Sequence, residues 1–223
     1  MSVVSDPQGC PVGEANLSVR IGHFFFRHRH ILYVPFALAV FIIPWQRHNS
    51  IFTGPLQMYN NILVAWLVGL AILLMGGALR LWAVRCCGKR TIYKREGGKW
   101  LTMTGPYSHT RNPLYHSNIL IGCGLIMFSR LVWLLPVFIV AGYIYYYFVV
   151  LYEESRLREQ FGDSYQEFVR NVPRWFPRFK AYQPAGEVKV NPWSEVYAAE
   201  RLRLLAVLVV IFLIMLNNFL VVS

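Results

Sequence analysis

The residues best suited to chemistry lie in a polar segment, Thr102–Tyr115, that precedes an apolar hairpin. Pro113 fits the first turn of the following helix, where the missing N–H of proline costs nothing, and Asn112 then takes the N-cap position. Such a helix start presents backbone N–H groups and a positive dipole end to an anion. Arg111 stands beside it with a planar guanidinium that suits the same group. The pattern predicts a site for a carboxylate or another anion.

An acidic pair, Glu153 and Glu154, ends a tyrosine-rich apolar segment further along the chain. The apolar residues between the two motifs predict a helical hairpin. A hairpin brings the start of its first helix and the end of its second to the same face of the membrane. We therefore expect Arg111, Asn112 and Tyr115 to lie near the two glutamates.

Two interpretations of this grouping remain open from the residues alone. An arginine and a helix N-terminus for a carboxylate, a glutamate for an ammonium or ribose hydroxyls, and aromatic rings for an adenine together complement S-adenosylmethionine. The alternative is an Arg–Glu salt bridge at the membrane interface that only orients the hairpin.

The amino-acid composition limits the class of protein to which these motifs can belong. Of the 223 residues, 56% are hydrophobic and 15% are charged, whereas soluble domains have about 45–50% apolar residues. Much of the apolar excess must therefore face lipid. The net charge of +11 would suit nucleic acid or anionic lipid. Because the basic residues cluster beside the apolar segments, we expect membrane lipids as partners and no nucleic acid.

The apolar runs predict an all-α fold, a polytopic membrane bundle of about five transmembrane helices. The predicted spans are Ile31–Trp45, Ile62–Val84, Ser117–Phe128, Leu131–Tyr152 and Leu204–Val222. The third and fourth form the hairpin, turning at Ser129-Arg130. Arg47 and Arg130 are the basic residues in the loops of one side, and the positive-inside rule assigns the other side to the cytosol. The N-terminus and the site are then cytosolic.

Four stretches follow from this organisation: a cytosolic leader over 1–30, a first transmembrane hairpin over 31–84, a catalytic core over 85–180, and a linker with the C-terminal transmembrane helix over 181–223. After the acidic pair, apolar residues at helical spacing predict helices on the membrane surface. Gly162 interrupts that pattern.

Several spaced motifs in the core resemble the isoprenylcysteine carboxyl methyltransferase family and the wider group of membrane phospholipid methyltransferases. The motifs that carry the resemblance are Gly105-Pro106-Tyr107, Arg111-Asn112-Pro113-Leu114-Tyr115, Glu153-Glu154, Phe161-Gly162-Asp163-Ser164-Tyr165 and Val172-Pro173-Arg174. The resemblance implies a membrane enzyme that transfers a methyl group from S-adenosylmethionine to a lipophilic acceptor. In that family this region forms the cofactor site between the catalytic loop and the hairpin.

The resemblance also implies roles for individual residues. It makes Arg111 the arginine that acts in catalysis and Glu153 the acidic contact of the cofactor, with Glu154 beside it. The remaining residues expected to line the cofactor site are Leu101, Thr102, Tyr107, Asn112, Pro113, Leu114 and Tyr115.

The sequence does not determine the chemical identity of the methyl acceptor, because the chain departs from the family pattern. Asn112 stands where the family usually has histidine, so no general base is expected there. The carboxyl methyltransferases carry an arginine shortly before the acidic pair, but this chain has Val149-Val150-Leu151-Tyr152. An isoprenylcysteine-type carboxylate, a lipid amine and a thiol all remain candidates.

Two other functions fit the same sequence. Sterol-reductase-like enzymes that use NADPH also resemble this region, and the fold could serve a non-catalytic protein that binds lipids or docks a partner. No metal site is expected. His28 and His30 are two positions apart, so they do not share a helix face.

Overall fold

The computed structural model describes residues 12–28, 33–42, 62–87, 101–129, 131–183 and 190–222. All regular structure within these ranges is helical, which confirms the all-α expectation. The helices are α1 Val12–Arg27, α2 Tyr33–Ile42, α3 Ile62–Cys86, α4 Pro113–Phe128, α5 Leu134–Asn171 and α6 Trp193–Val222, with a 3₁₀ turn at Gly105–Ser108.

Glycines allow α4 to pack closely between α3 and α5, as expected for small residues in membrane helices. A side chain added at Gly124 would meet the Gly69 carbonyl oxygen of α3 at 3.0 Å. One added at Gly122 would enter the ring of Phe138 on α5. These contacts fix both the α3–α4 contact and the α4–α5 hairpin that positions the site.

The hairpin turns where predicted, because α4 ends at Phe128 and α5 begins at Leu134. The second helix does not stop at Tyr152, however. It continues to Gly162, where a non-helical backbone with φ +50° and ψ −124° divides the element that ends at Asn171 into two helices. The interruption predicted at Gly162 is therefore observed, but the expected surface helix before it is an extension of the hairpin helix. Its apolar residues pack together beyond the kink, with Tyr165 and Phe168 buried.

The N-terminal part of the chain runs antiparallel along α5. The ring of His23 lies 5.1 Å from that of Tyr152, and the ring of Phe36 lies 4.9 Å from that of Phe138, nearer the start of α5. Between these contacts the Tyr145 hydroxyl lies 2.8 Å from the Phe25 carbonyl oxygen and 2.7 Å from that of His28, and its single hydrogen is shared between these two acceptors. The stretch predicted as a leader thus contains a helix that packs on the hairpin.

Within the described residues, α3 and α5 are long and apolar enough to cross a membrane, and α4 is a shorter apolar helix. Large apolar side chains on the outer faces of the bundle are exposed, among them Leu74, Ile144 and Leu208. Such faces suit lipid, since soluble proteins rarely expose large apolar patches. The predicted first span is represented by α2, and its residues 31–32 and 43–45 lie outside the described ranges.

The C-terminal helix begins well before the predicted span, at Trp193. Its first turns therefore carry charged residues into the bundle. Glu200 is 1% exposed and lies 2.7 Å from Arg80 of α3. Arg80 stands near the end of an apolar run, where an arginine often extends towards the membrane surface; here its side chain is 11% exposed and forms an ion pair between helices.

Gly122→Ala should lower the stability of the bundle, because the new methyl group collides with Phe138 in a tightly packed hairpin. Overpacking of this kind costs about 1–3 kcal/mol. Gly77→Ala is the matched control, since nothing lies within 4 Å of the added atom. In a helix that change should be neutral or stabilise by up to ~1 kcal/mol. Thermal unfolding in detergent micelles checks both, and equal midpoints would contradict the packing described for α4 and α5.

Candidate functional site

The loop before α4 is fastened to the end of α3. Gly105 has a φ of +60°, and a side chain there would collide with the Cys86 sulfur. The loop backbone can approach α3 this closely only with glycine. Tyr107 follows directly and packs in a buried cluster with Ala83, Cys86 and Cys87. The 3₁₀ turn therefore places the Tyr107 ring on the wall of the site.

The other side of the loop is fastened to the segment after α5. Arg111 N donates to the Pro173 carbonyl at 3.0 Å. The side chains of Thr110 and Asn112 both donate to the Arg174 carbonyl at 3.1 Å. Asn112 does hold the N-cap position of α4, but its side chain makes no capping hydrogen bond. Its amide joins the two segments instead, which corrects the capping role expected from the sequence.

Two histidines near the loop are bonded to backbone carbonyls. His109 Nδ1 lies 2.7 Å from the Arg178 carbonyl oxygen, and His116 Nδ1 lies 2.9 Å from that of Asn112. Both contacts brace the loop against its neighbours. Neither residue lines the cavity described below.

A buried ion cluster joins the loop, the hairpin and the segment after it. Glu154 is 4% exposed and accepts two hydrogen bonds from Arg174, at 3.0 and 2.7 Å. Arg111 Nη1 lies 3.3 Å from the same carboxylate. The expected proximity of Arg111 and Glu154 is therefore observed. Arg174 was missed as a partner, although it belongs to the Val172-Pro173-Arg174 motif.

The predicted site residues surround one cavity of about 520 Å³. Those that line it are Leu101, Thr102, Tyr107, Arg111, Asn112, Leu114, Tyr115, Glu153 and Glu154. Pro113 is the exception: it is buried in the first turn of α4 and forms no part of the wall. The ring of Tyr115 stacks against Tyr146 of α5, with centroids 4.4 Å apart. The grouping inferred from the hairpin is thus present in space.

The hydrogen-bond donors of the Arg111 guanidinium are only partly paired. Its side chain is 10% exposed, and its Nε and Nη1 atoms have no hydrogen-bond partner among the described residues. The 3.3 Å contact with Glu154 is an ion pair whose geometry does not form a hydrogen bond. Because a buried donor without a partner costs about 1–3 kcal/mol, these atoms suit an acceptor group that enters the cavity.

Tyr107 is a neutral donor at the cavity wall. Burial raises the pKa of its phenol well above the ordinary value, and the neighbouring Cys87 and Glu153 raise it further. The hydroxyl therefore stays protonated at neutral pH.

A second polar cluster lies on the same cavity and was not predicted. It consists of Arg80, Asn118, Glu200 and Arg203. These side chains come from three helices that are far apart in sequence, and no local motif connects them. The only signals were an arginine inside an apolar run and a glutamate close before the last span.

No group of three or more histidine, cysteine, aspartate or glutamate side chains that could hold a metal ion occurs in the part of the chain that the structure describes.

Comparisons with known proteins indicate the family that this chain resembles. Residues 64–164 match the sequence model of the phospholipid methyltransferase family. The match runs from α3 through the loop and the hairpin, and it confirms the family resemblance drawn from the motifs. The chain is also 28% identical over 184 residues to the cobalt-zinc-cadmium resistance protein CzcN of Cupriavidus metallidurans, covering 81% of this chain and 78% of that protein. No solved structure matches significantly.

Glu154→Gln should destabilise the protein, because the guanidinium groups of Arg111 and Arg174, which are 10% and 24% exposed, lose the charge that compensates them. Removing one partner of a buried pair costs on the order of 3–5 kcal/mol. Glu159→Gln is the control on the same helix, since Glu159 is exposed. A lower unfolding midpoint in detergent for the first variant alone is expected. Equal midpoints would show that the cluster does not hold the loop.

Proposed function

We propose that the protein is an integral membrane methyltransferase that transfers a methyl group from S-adenosylmethionine to a lipophilic acceptor. The acceptor class is an isoprenylcysteine-type carboxylate or a lipid amine. The observation that carries the proposal is the partly satisfied Arg111 guanidinium at a cavity lined by the family's motif residues. The match to a methyltransferase family supports the reaction class.

The residues present fit this cofactor. Arg111 has donors for its carboxylate, and the start of α4 adds the positive end of a helix dipole. Glu153 supplies a negative charge for its ammonium group or ribose hydroxyls. Tyr107 and Tyr115 offer aromatic faces for the adenine ring. The remaining proposed wall residues are Leu101, Thr102, Asn112, Leu114 and Glu154, with Pro113 fixing the helix start behind them.

The reaction requires mainly that the protein position the cofactor and the acceptor. S-adenosylmethionine supplies a methyl group on a positively charged sulfur, which is already electrophilic. The protein must align the two reactants and keep water away, an effect that can contribute about 7–11 kcal/mol in well-oriented reactions. Asn112 has no titratable group, so it orients its neighbours and moves no proton. Tyr107 stays protonated and serves as a hydrogen-bond donor.

We further propose five membrane spans, with the N-terminus and the cavity mouth on the cytosolic side. The distribution of lysine and arginine supports this orientation. The long apolar helices α3 and α5 and the apolar faces of the bundle support insertion into lipid.

Cofactor binding can be tested by calorimetry on the purified protein. S-adenosylmethionine and its demethylated product should bind, and NADPH should not. Glu153→Gln should weaken binding of S-adenosylmethionine about ten-fold or more, because it removes a charged partner worth roughly 1.5–3 kcal/mol. Glu159→Gln should leave the affinity unchanged, as Glu159 lies outside the cavity.

Three results would argue against the proposal. Binding of NADPH alone favours the reductase-like alternative. Binding of neither nucleotide favours a non-catalytic lipid-binding or docking protein. Equal effects of the two glutamate substitutions would place the cofactor elsewhere.

The topology can be tested by labelling single cysteines with a reagent that does not cross the membrane. Gly97→Cys should react only when the cytosolic face is accessible. Arg47→Cys should react from the opposite face. Labelling of both from one side would refute the proposed orientation.

A further inference from the structure

The second charged cluster of the cavity is built around the carboxylate of Glu200. Arg80 donates to the Glu200 carboxylate from Nε at 2.7 Å and from Nη2 at 3.2 Å. Its Nη1 donates to the Asn118 side-chain oxygen at 2.5 Å. Arg203 Nη1 lies 2.8 Å from the other side of the carboxylate. One glutamate thus holds two guanidinium groups at the cavity wall.

The cluster combines two arginines with one carboxylate and the neutral side chain of Asn118. The apolar helices around it weaken solvent screening, so an anionic group that reaches the arginines would be attracted.

Arg80 also keeps hydrogen-bonding capacity. A guanidinium carries five N–H donors, and Glu200 and Asn118 take three of them. The contacts with these two residues hold the planar group in place. Two donors remain for a carboxylate or phosphate oxygen.

The cluster lies between a polar and an apolar part of the cavity. Asn118 is five residues along α4 from Pro113, which places it roughly 7 Å further into the bundle at 1.5 Å per residue. Beyond it the lining becomes apolar. That apolar lining includes Leu125, Phe138, Val207, Val210 and Ile214. From the loop inwards, the cavity lining is first polar, then charged at the cluster, and finally apolar.

We propose that Arg80 and Arg203 bind an anionic group, a carboxylate or a phosphate, of an amphiphilic acceptor whose hydrocarbon chain lies in the apolar part of the cavity. Glu200 and Asn118 position Arg80 for this contact. The inference rests on the proposed function and narrows its acceptor to an anionic lipid-like molecule. Glu200 and Arg203 lie outside residues 64–164, so this specificity comes from a part of the chain beyond the family match.

The test compares three amphiphiles with the same chain length in a nonionic maltoside detergent: dodecyl phosphate, dodecanoate and dodecanol. Dissociation constants are obtained from the rise in the thermal unfolding midpoint. Dodecyl phosphate or dodecanoate should bind the wild-type protein at least about ten-fold more tightly than dodecanol, as expected for a charged hydrogen bond. The anion that binds more tightly distinguishes a phosphate acceptor from a carboxylate acceptor.

Arg203→Gln should abolish most of this preference, and Arg201→Gln is the matched control. Arg201 is an exposed residue two positions away that does not line the cavity. The Arg203 side chain is 41% exposed, so its replacement leaves the Arg80–Glu200 pair in place. Equal binding of dodecanol and the anions by the wild-type protein would overturn the proposal. So would equal losses in the two arginine variants.

Titration with S-adenosylmethionine separates this inference from the proposed function. Arg203→Gln should bind the cofactor with unchanged affinity. Failure of the wild-type protein to bind it, together with the expected preference for anions, would remove the proposed reaction and leave the anion site standing.

Discussion

The rest of the site depends on the ion pairs that the buried carboxylate of Glu154 forms with two arginines. This carboxylate holds Arg174 at 2.7 Å and Arg111 at 3.3 Å, and so it joins the segment after α5 to the loop before α4. A buried charge is tolerated only when it is paired, because removing it from water is costly. Since α4 and α5 are already linked as a hairpin, this one cluster joins the loop, the hairpin and the segment after it.

Much of this arrangement could be predicted from the sequence, since it follows from local rules. A helix start at Pro113 and an acidic pair at the end of a hairpin must meet at one membrane face, and the motif residues do line one cavity. Their role in binding stays a prediction. Asn112 was placed correctly at the N-cap, but its side chain bonds to the Arg174 carbonyl. A local sequence pattern does not show that a carbonyl 62 positions away competes for the Asn112 side chain.

The features that were missed depend on contacts between distant segments. Arg80 and Glu200 are 120 positions apart, and each has an ordinary explanation alone: an arginine near a membrane boundary and a glutamate in a linker. The interruption predicted at Gly162 is observed, but the hairpin helix was expected to end at Tyr152 and instead continues to that glycine. Hydrophobic periodicity identifies helices but does not determine which charged residues meet inside a bundle.

The two adjacent glutamates show how one short motif can support both structure and function. Successive residues of an α-helix point about 100° apart, so the side chains of Glu153 and Glu154 leave the helix in different directions. Glu154 is neutralised by two arginines, and its charge is used in holding the loop. Glu153 borders the same cavity beside Tyr107. One glutamate of the pair therefore holds the loop in place, whereas the other borders the cavity, where we propose that it contacts the cofactor.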